Sequence, residues 1–297
     1  MGQFMHKATL ESPIIPTRDR PDLLTQVAHS VSRAIPNFPT YQVAGMRLQA
    51  ITKFELVDIV ADAIENGTKY IIANQNLHGL YCWFHEPKVR EFHQFADFTH
   101  IDGMALILLG RVLGLPLKRE HRTTYVDLLP VLAQEATKRR WKVFYLGSKP
   151  GVAQRAAVKL RKKYVGLQLC TRHGHFDLNN TSKDNQEVLA DIASYAPHIL
   201  LVGMGMPRQE TWIFENRNQL STNAVFCSGA LMDYVAGEIP TPPRWIGMLG
   251  FEWLIRLASE PARLWRRYLV EPYFVLEQIA RHYWISGMKS HARGEHR

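Results

Sequence analysis

Short, continuous apolar runs alternate with segments of helical periodicity through most of this chain. Residues 70–73, 142–146 and 198–202 contain runs of this kind, after one polar residue in the second and third, and their length is typical of strands that are buried on both faces. Between them, apolar residues recur every three or four positions, as they do in amphipathic helices. Strands that alternate with helices build a sheet whose two faces those helices cover. The sequence therefore predicts an α/β fold with a parallel or mixed sheet.

Composition divides the 297 residues into three parts. Residues 1–42 are rich in proline and polar side chains, and we interpret them as an N-terminal extension. Residues 43–242 contain the alternating strands and helices and form the predicted core. Residues 243–297 follow the last predicted strand and form a predicted basic, amphipathic, helical appendage.

The appendage mixes arginine with aromatic side chains inside a helix-like pattern. Most of its arginines can share one face of a helix or its flank, because they recur at roughly helical spacing: Arg256, Arg263, Arg266 and Arg267. Aromatic rings favour the boundary between water and lipid, and a guanidinium group can pair with phosphate through two parallel hydrogen bonds. This pattern predicts a phosphate-rich partner, either lipid headgroups or a pyrophosphate. The alternative is a packed helix with a solvated arginine face.

The overall charge indicates the same class of partner. With 36 Lys and Arg against 27 Asp and Glu, the net charge is +9, and residues 244–297 contribute nine Lys and Arg against five Glu. Such a chain is expected to bind a polyanion: an anionic membrane, a nucleotide or a nucleic acid. No RNA-binding consensus, zinc-finger spacing or helix-turn-helix pattern occurs, so nucleic acid is not the predicted partner.

The sequence contains neither a predicted membrane span nor a secretion signal. No uncharged apolar run reaches about 18 residues, and residues 1–21 carry charges and prolines instead of an apolar block. Three widely spaced cysteines are typical of free thiols in a reducing compartment. We predict a cytoplasmic protein whose appendage attaches peripherally to the inner face of the plasma membrane.

Four loops that follow predicted strands are candidates for ligand binding: residues 74–76, 102–103, 147–148 and 203–210. In open α/β sheets, ligands gather at the carboxyl ends of the strands, where loops and helix N-termini present N–H groups to anions. Gly147 and Gly203 are placed to bring the backbone close to a phosphate. The alternative is that these glycines serve only the turns in which they lie.

Asp102 is the candidate for acid–base chemistry. It follows an apolar strand and precedes a helix predicted from Met104, whose N-terminus favours an ionised carboxylate. The alternative is an N-cap that serves only this helix.

Two further polar residues are candidates for substrate binding. Arg122 stands beside two threonines and is a candidate for binding phosphate, with a solvated loop arginine as the alternative. Gln209 begins a helix after a glycine turn and is a candidate for contacting a sugar hydroxyl, with ordinary helix-start chemistry as the alternative. The thirteen histidines form no recognised ligand pattern, so we predict no metal site and no cofactor.

Taken together, these loops resemble the WecG/TagA/CpsF family of bacterial glycosyltransferases. The matching segments follow one another from Val43 to Tyr268. They are Asp102-Gly103, residues 114–118 with Arg122, residues 143–147 and 150–153, residues 203–210 with Trp212, Gly229, and residues 243–245 and 252–263 of the appendage. The ordered combination is specific, whereas any single segment is not.

The resemblance implies a Rossmann-like, inverting glycosyltransferase that moves a sugar from a UDP donor onto a polyprenyl-pyrophosphate-linked sugar in cell-surface or exopolysaccharide biosynthesis. It also implies catalysis without a metal ion, an aspartate as the base, and a basic C-terminal appendage that meets the membrane. The catalytic positions fall on Asp102, Arg256, Arg263 and Arg266. The substrate-binding positions are Asn74, Asn76, Arg122, Gly147, Gly203, Gln209 and Gly229.

One loop departs from the family pattern and leaves the donor open. Members often carry Thr-Pro-Asn after the second strand, where this chain has Asn74-Gln75-Asn76. The donor is therefore UDP-N-acetylmannosamine, its uronic acid or UDP-glucose. Also open are whether the appendage arginines bind the leaving UDP or the acceptor pyrophosphate, and whether the chain forms a homo-oligomer. The competing class is a non-catalytic basic protein that binds a membrane surface or nucleic acid.

Overall fold

The computed structural model describes residues 37–241, 246 and 250–294, with side chains as far as residue 284. From Phe38 onward the described residues belong to one compact unit. Its strands are β1 (Thr40–Val43), β2 (Met46–Gln49), β3 (Tyr70–Gln75), β4 (Phe98–Ile101), β5 (Lys142–Gly147), β6 (Gln168–Arg172), β7 (Ile199–Gly203) and β8 (Ala224–Cys227). Residues 1–36 of the predicted extension lie outside the described residues, and its last residues belong to β1.

The helices of the described residues surround this sheet. They are α1 (Lys53–Glu65), α2 (Leu77–His85), α3 (Pro87–Phe95), α4 (Met104–Val112), α5 (Tyr125–Lys138), α6 (Val152–Lys163), α7 (Lys183–Tyr195), α8 (Arg208–Asn216), α9 (Leu231–Ala236), α10 (Glu252–Ser259), α11 (Pro261–Trp265) and α12 (Glu271–Gly294). A 3₁₀ turn covers Arg119–His121, and a π-helical turn covers Arg266–Val270.

Within the described residues, eight strands form one sheet in the order β1-β2-β4-β3-β8-β7-β5-β6. The hairpin β1–β2 is antiparallel, and the other neighbouring strands are parallel. The predicted α/β fold with a mostly parallel sheet is therefore confirmed. From β3 the chain continues to β4 on one side, and β8 later returns to the other side. Such a change of direction opens a crevice at the carboxyl ends of the strands.

The two faces of the sheet carry separate apolar layers. Along β5, Val143 and Tyr145 pack into one cluster, whereas Phe144 and Leu146 pack into another. This alternation follows from the two-residue period of a strand. Because both layers are apolar, Val143–Leu146 of β5 and Ile199–Val202 of β7 are apolar at every position, which is the pattern seen in the sequence.

The C-terminal segment packs against the core. Val275 and Ile279 of α12 are buried in a cluster that includes Leu80 and Trp83 of α2. Because this segment covers apolar side chains of the core, removing it would expose them to water. Substitutions therefore test the function of the appendage more cleanly than truncation does.

Candidate active site

A cavity of about 620 Å³ opens at the carboxyl ends of four neighbouring strands, β4, β3, β8 and β7. Residues that follow these strands form its floor, and the appendage forms its roof with Glu252, Arg256 and Arg267 among others. This is where open α/β sheets bind ligands. The predicted site residues that line it are Asn74, Asn76, Asp102, Arg122, Gln209, Gly229, Arg256 and Arg263.

Asp102 lies on the cavity floor directly after β4. Its Oδ2 is 3.3 Å from Asn76 Nδ2 and 3.5 Å from Asn74 Nδ2. Gly103 is the N-cap of α4, and no side-chain hydrogen bond caps that helix, so Asp102 is not a helix cap. Burial raises the pKa of Asp102, while the Asn76 hydrogen bond and the Arg122 charge act against this. A cavity carboxyl group with a raised pKa is suited to accept a proton.

The Asn74-Gln75-Asn76 loop divides between cavity and core. Asn76 caps α2, because its Oδ1 accepts a backbone N–H of that helix at 3.0 Å, and this leaves its Nδ2 for Asp102. Gln75 is fully buried outside the cavity lining, with its Nε2 3.0 Å from His93 Nε2. Asn74 is therefore the departure from the family pattern that faces the cavity.

On the cavity floor, the buried atoms Asn74 Oδ1 and Ser228 Oγ have no hydrogen-bond partner among the residues that the structure describes. These residues are 5% and 2% exposed. The register pairs Ile72 of β3 with Phe226 of β8, and Asn74 and Ser228, each two residues further along, both line the cavity. An unsatisfied buried polar atom is unfavourable unless a ligand supplies its partner. This pair is therefore a candidate hydrogen-bonding site for a ligand.

Arginines close the cavity from above. Arg122, whose side chain is 10% exposed, donates to Glu252 Oε2 at 2.6 Å and so ties the core to α10. Arg263 is held by Glu260 through bonds of 2.5 and 2.6 Å. Arg256 makes no side-chain hydrogen bond and no ion pair within the described part of the chain, and its Nε is buried. Arg256 therefore brings a charge to the cavity that no carboxylate neutralises directly.

The structure does not bring Arg266 to the cavity. Its side chain is exposed, whereas the neighbouring Arg267 lines the cavity. The predicted spacing from Arg256 does not run along one helix, because α10 and α11 are separate and residues 266–270 form a π-helical turn. Leu264, 1% exposed, sets which face turns inward. Arg267 is three residues from Leu264 and shares its face, whereas Arg266 is two residues away and does not.

Gln209 joins two cavity loops. Its Oε1 accepts the N–H of Gly205 at 3.2 Å and that of Gly229 at 3.1 Å, and its Nε2 donates to Glu210 Oε1 at 2.8 Å. The side chain is 1% exposed. We predicted that Gln209 contacts a sugar hydroxyl, and its carboxamide oxygen is bonded to the loops after β7 and β8. Gln209 shapes the cavity by holding these loops together.

Glu210 makes the stability of this clamp depend on pH. Burial raises the pKa of Glu210 from 4.5 to about 7. Between these values the unfolded chain loses a proton that the folded chain keeps, so stability falls as the pH rises. In the unmodified chain, the free energy of unfolding should fall by an amount on the order of 3 kcal/mol between pH 4.5 and 7 because of Glu210. Glu210→Gln keeps an acceptor for Gln209 but cannot ionise, so we expect this fall to be absent in the variant.

Thermal unfolding at pH 5 and pH 8 measures this effect. The melting temperature of Glu210→Gln should rise relative to the unmodified chain as the pH increases. Glu91→Gln, which changes an exposed glutamate of α3, should follow the unmodified chain at both pH values. Parallel pH curves for Glu210→Gln and the unmodified chain would contradict the prediction.

Gly147 and Gly203 do not line the cavity. They are partners across β5 and β7, where a Cβ on Gly147 would lie 2.2 Å from the Gly203 carbonyl oxygen. A Cβ on Gly203 would lie 2.5 Å from the Gly229 carbonyl oxygen. The two backbones approach so closely that neither position has room for a side chain, which explains why both residues are glycine. Because neither glycine lines the cavity, the predicted contact of Gly147 and Gly203 with substrate is not supported by this geometry.

A model of the glycosyl transferase WecG/TagA/CpsF family matches residues 41–287. The chain belongs to this family. Among the similar proteins are two enzymes named N-acetylglucosaminyldiphosphoundecaprenol N-acetyl-beta-D-mannosaminyltransferase. The enzyme of Bacillus spizizenii W23 is 28% identical over 189 residues, which cover 64% of this chain and 70% of that protein. The enzyme of Staphylococcus aureus MW2 is 26% identical over 228 residues, which cover 71% of this chain and 87% of that protein.

Membership of the WecG/TagA/CpsF family favours a transferase over the non-catalytic alternative. Among the cavity residues in its matched region that were not predicted from the sequence are Ser228, Tyr234, Glu252 and Arg267. Ser228 directly precedes the predicted Gly229, and Arg267 directly follows the predicted Arg266. In these two cases the cavity-lining residue is a sequence neighbour of a predicted one.

Proposed function

We propose that this chain is an inverting glycosyltransferase that moves N-acetylmannosamine from UDP onto a polyprenyl-diphosphate-linked sugar. The observation that carries the proposal is one cavity that combines a carboxyl group of raised pKa with two arginines, Arg256 and Arg267, that have no carboxylate partner in the described part of the chain. The names of the two similar enzymes support the transferred group and the class of acceptor. The uronic acid and glucose donors are the alternatives, and the product is a precursor of a cell-surface polymer.

In the proposed reaction Asp102 is the base. Its carboxylate takes the proton of the acceptor hydroxyl while the hydroxyl oxygen bonds to the anomeric carbon from one side. On the other side the bond from that carbon to the donor phosphate oxygen breaks, and its electron pair leaves with UDP. Asn76 and Asn74 hold the carboxylate on the cavity floor. A positioned base of this kind contributes about 10²- to 10⁴-fold to the rate.

Arginines are proposed to stabilise the leaving diphosphate. Negative charge grows on UDP as the bond breaks, and fixed cations in a cavity with little water oppose it effectively. Arg256 is free of carboxylate partners, while Arg122 and Arg263 reach the same cavity from their ion pairs. We propose that these guanidinium groups take the place of a metal ion.

Asn74 and Ser228 are proposed to bind the sugar. Their unpartnered atoms lie on the cavity floor with Asp102, below the arginines of the roof. Asn74 Oδ1 can accept a hydrogen bond from a sugar hydroxyl or an acetamido N–H, and Ser228 can donate or accept one. Because a site built for such groups rejects analogues that lack them, this pair is the proposed determinant of donor preference.

The appendage presents an apolar face that we propose lies on the cytoplasmic membrane surface. Tyr273 is 77% exposed and Trp284 is 74% exposed, and helical spacing places them on one face of α12 with Leu276. None of the described helices is long and apolar enough to cross a membrane. Aromatic side chains beside basic ones suit the lipid–water interface. Because the appendage also roofs the cavity, binding there places the cavity beside a lipid-linked acceptor.

Removal of the two aromatic rings tests this surface. We expect the double change Tyr273→Ser and Trp284→Ser to lower partitioning onto anionic vesicles by at least about tenfold, because less apolar surface is buried. High salt should weaken the binding further by screening the basic side chains. Phe54→Ser removes a 60% exposed ring from α1 and should leave partitioning unchanged. Equal partitioning of the double variant and the unmodified chain would exclude this face.

The function itself is tested by a donor screen. The purified chain is incubated with each UDP-sugar and a short polyprenyl-diphosphate-linked N-acetylglucosamine, and products are identified by mass spectrometry. We expect transfer of N-acetylmannosamine, with inverted configuration, that persists in EDTA. Transfer from none of the UDP-sugars would overturn the proposal, and activity restored only by Mg²⁺ or Mn²⁺ would overturn its metal-free form.

A further inference from the structure

Arg267 places a guanidinium group in the cavity without a counter-charge bonded to it. The residue lines the cavity, its Nε is buried without a hydrogen bond, and it makes no ion pair among the described residues. The guanidinium lies 5.9 Å from the ring centre of the adjacent Tyr268. A desolvated cation is unfavourable unless an anion or fixed acceptors compensate it.

The neighbouring carboxylates are already engaged. Glu271 lies 2.6 Å from His78 Nδ1, and Asp102 is contacted by amide groups. Burial lowers the pKa of Arg267, and the charge of Arg256 acts in the same direction. Two like charges held in one cavity, each with a buried unpartnered Nε, indicate a space prepared for a ligand of opposite charge.

We infer that Arg267, together with Arg256, binds a diphosphate group in this cavity. The inference rests on the proposed function and adds a residue to it. A guanidinium fork can donate two parallel hydrogen bonds to phosphate oxygens, which a diphosphate offers on two adjacent groups. The diphosphate belongs either to UDP or to the lipid-linked acceptor, since both carry the same chemistry.

Arg266 provides a matched control within the same segment. It carries the same charge one position earlier, but its side chain is exposed and does not line the cavity. A non-specific loss of positive charge would affect Arg266→Ala and Arg267→Ala equally. Loss of a side chain that binds the diphosphate would weaken binding in Arg267→Ala alone.

Calorimetric titration of the full-length chain measures the binding. The probes are UDP, UMP and geranyl diphosphate, applied to the unmodified chain, Arg266→Ala, Arg267→Ala and Arg267→Lys. We expect Arg267→Ala to weaken UDP binding by about 10- to 100-fold and UMP binding much less, because only UDP has the second phosphate. Arg266→Ala should bind UDP within about twofold of the unmodified chain. Arg267→Lys keeps the charge but not the fork and should lie between them.

The outcomes separate the two sources of diphosphate. An Arg267-dependent loss seen with UDP assigns the site to the donor, and one seen only with geranyl diphosphate assigns it to the acceptor. Unchanged binding of both probes to Arg267→Ala would overturn the inference, as would an equal loss in Arg266→Ala. If Arg267→Ala does not fold, Arg267→Lys replaces it: weaker diphosphate binding than in Arg266→Ala supports the inference, and equal binding overturns it.

Failure of the proposed function gives a different result. In that case the unmodified chain transfers no sugar in the donor screen, yet Arg267-dependent binding of a diphosphate can still be measured. Conversely, if the unmodified chain transfers sugar but Arg267→Ala binds diphosphate as tightly as it does, the proposed function stands and only this inference is overturned.

Discussion

Asp102→Asn is expected to lower kcat by about 10²- to 10⁴-fold while leaving the protein folded, because the variant loses the proton acceptor and little else. Asparagine is nearly isosteric with aspartate and keeps an oxygen that can face the amides of Asn76 and Asn74. Burial raises the pKa of Asp102, so the ionised carboxylate destabilises the fold at neutral pH. We therefore expect the melting temperature of the variant at pH 8 to equal or exceed that of the unmodified chain.

The pH dependence of kcat/KM distinguishes a catalytic role of Asp102 from a structural one. In the unmodified chain, kcat/KM should rise with pH as Asp102 loses its proton, with a midpoint above the ordinary carboxyl pKa of 3.8. The residual activity of Asp102→Asn should lack this rise. Asp58→Asn removes an exposed carboxylate from α1 and should match the unmodified chain in rate and profile. Full turnover by Asp102→Asn on the natural acceptor would remove Asp102 from the role of base.

Arg256→Ala is expected to lower kcat by about 10²- to 10³-fold, the usual effect of removing one preorganised charge from a transition state. The guanidinium lies 5.7 Å from the ring centre of Tyr234 and makes no ion pair among the described residues, so its loss breaks no salt bridge there. Folding should therefore change little. Arg263→Ala should have a smaller effect, because Glu260 already neutralises that side chain.

The control for this experiment is Arg281→Ala on α12. Arg281 is paired with Glu277 and its side chain is 66% exposed, so its removal changes the net charge equally without altering the cavity. Steady-state kinetics with the identified donor and acceptor compare the two variants. An Arg256→Ala variant within about threefold of the unmodified kcat would show that this residue does not stabilise the leaving group.

The parts of the fold that depend on local pattern could be read from the sequence. The start of α1 is an example, because Thr52 and Glu55 have the spacing of a capping box and Thr52 N–H donates to Glu55 at 2.7 Å. The apolar runs at β3, β5 and β7 are central strands of the sheet. In contrast, the β1–β2 hairpin was not predicted, because its two strands have only four residues each and β1 is partly exposed.

The candidate site was predicted where position along the chain was sufficient. Asp102 and Asn76 follow adjacent parallel strands, and the carboxyl ends of such strands meet at one edge of the sheet. Gln209 lines the same cavity as Asp102, but its partners there are backbone N–H groups of two loops far apart in sequence, which no local pattern indicates. The Arg122–Glu252 ion pair likewise joins residues that no sequence pattern connects.

The sequence by itself determined the alternating fold, the carboxylate at a strand end and the concentration of arginine in the appendage. Hydrophobic periodicity and strand ends are properties of short segments, so they can be read without knowing how distant segments pack. Only the tertiary structure shows that Arg267 lines the cavity whereas Arg266 does not, and that Ser228 and Asn74 line the same cavity. Each residue turns an α-helix by about 100°, so a helix break, a π-helical turn and the burial of Leu264 decide which side chain points inward.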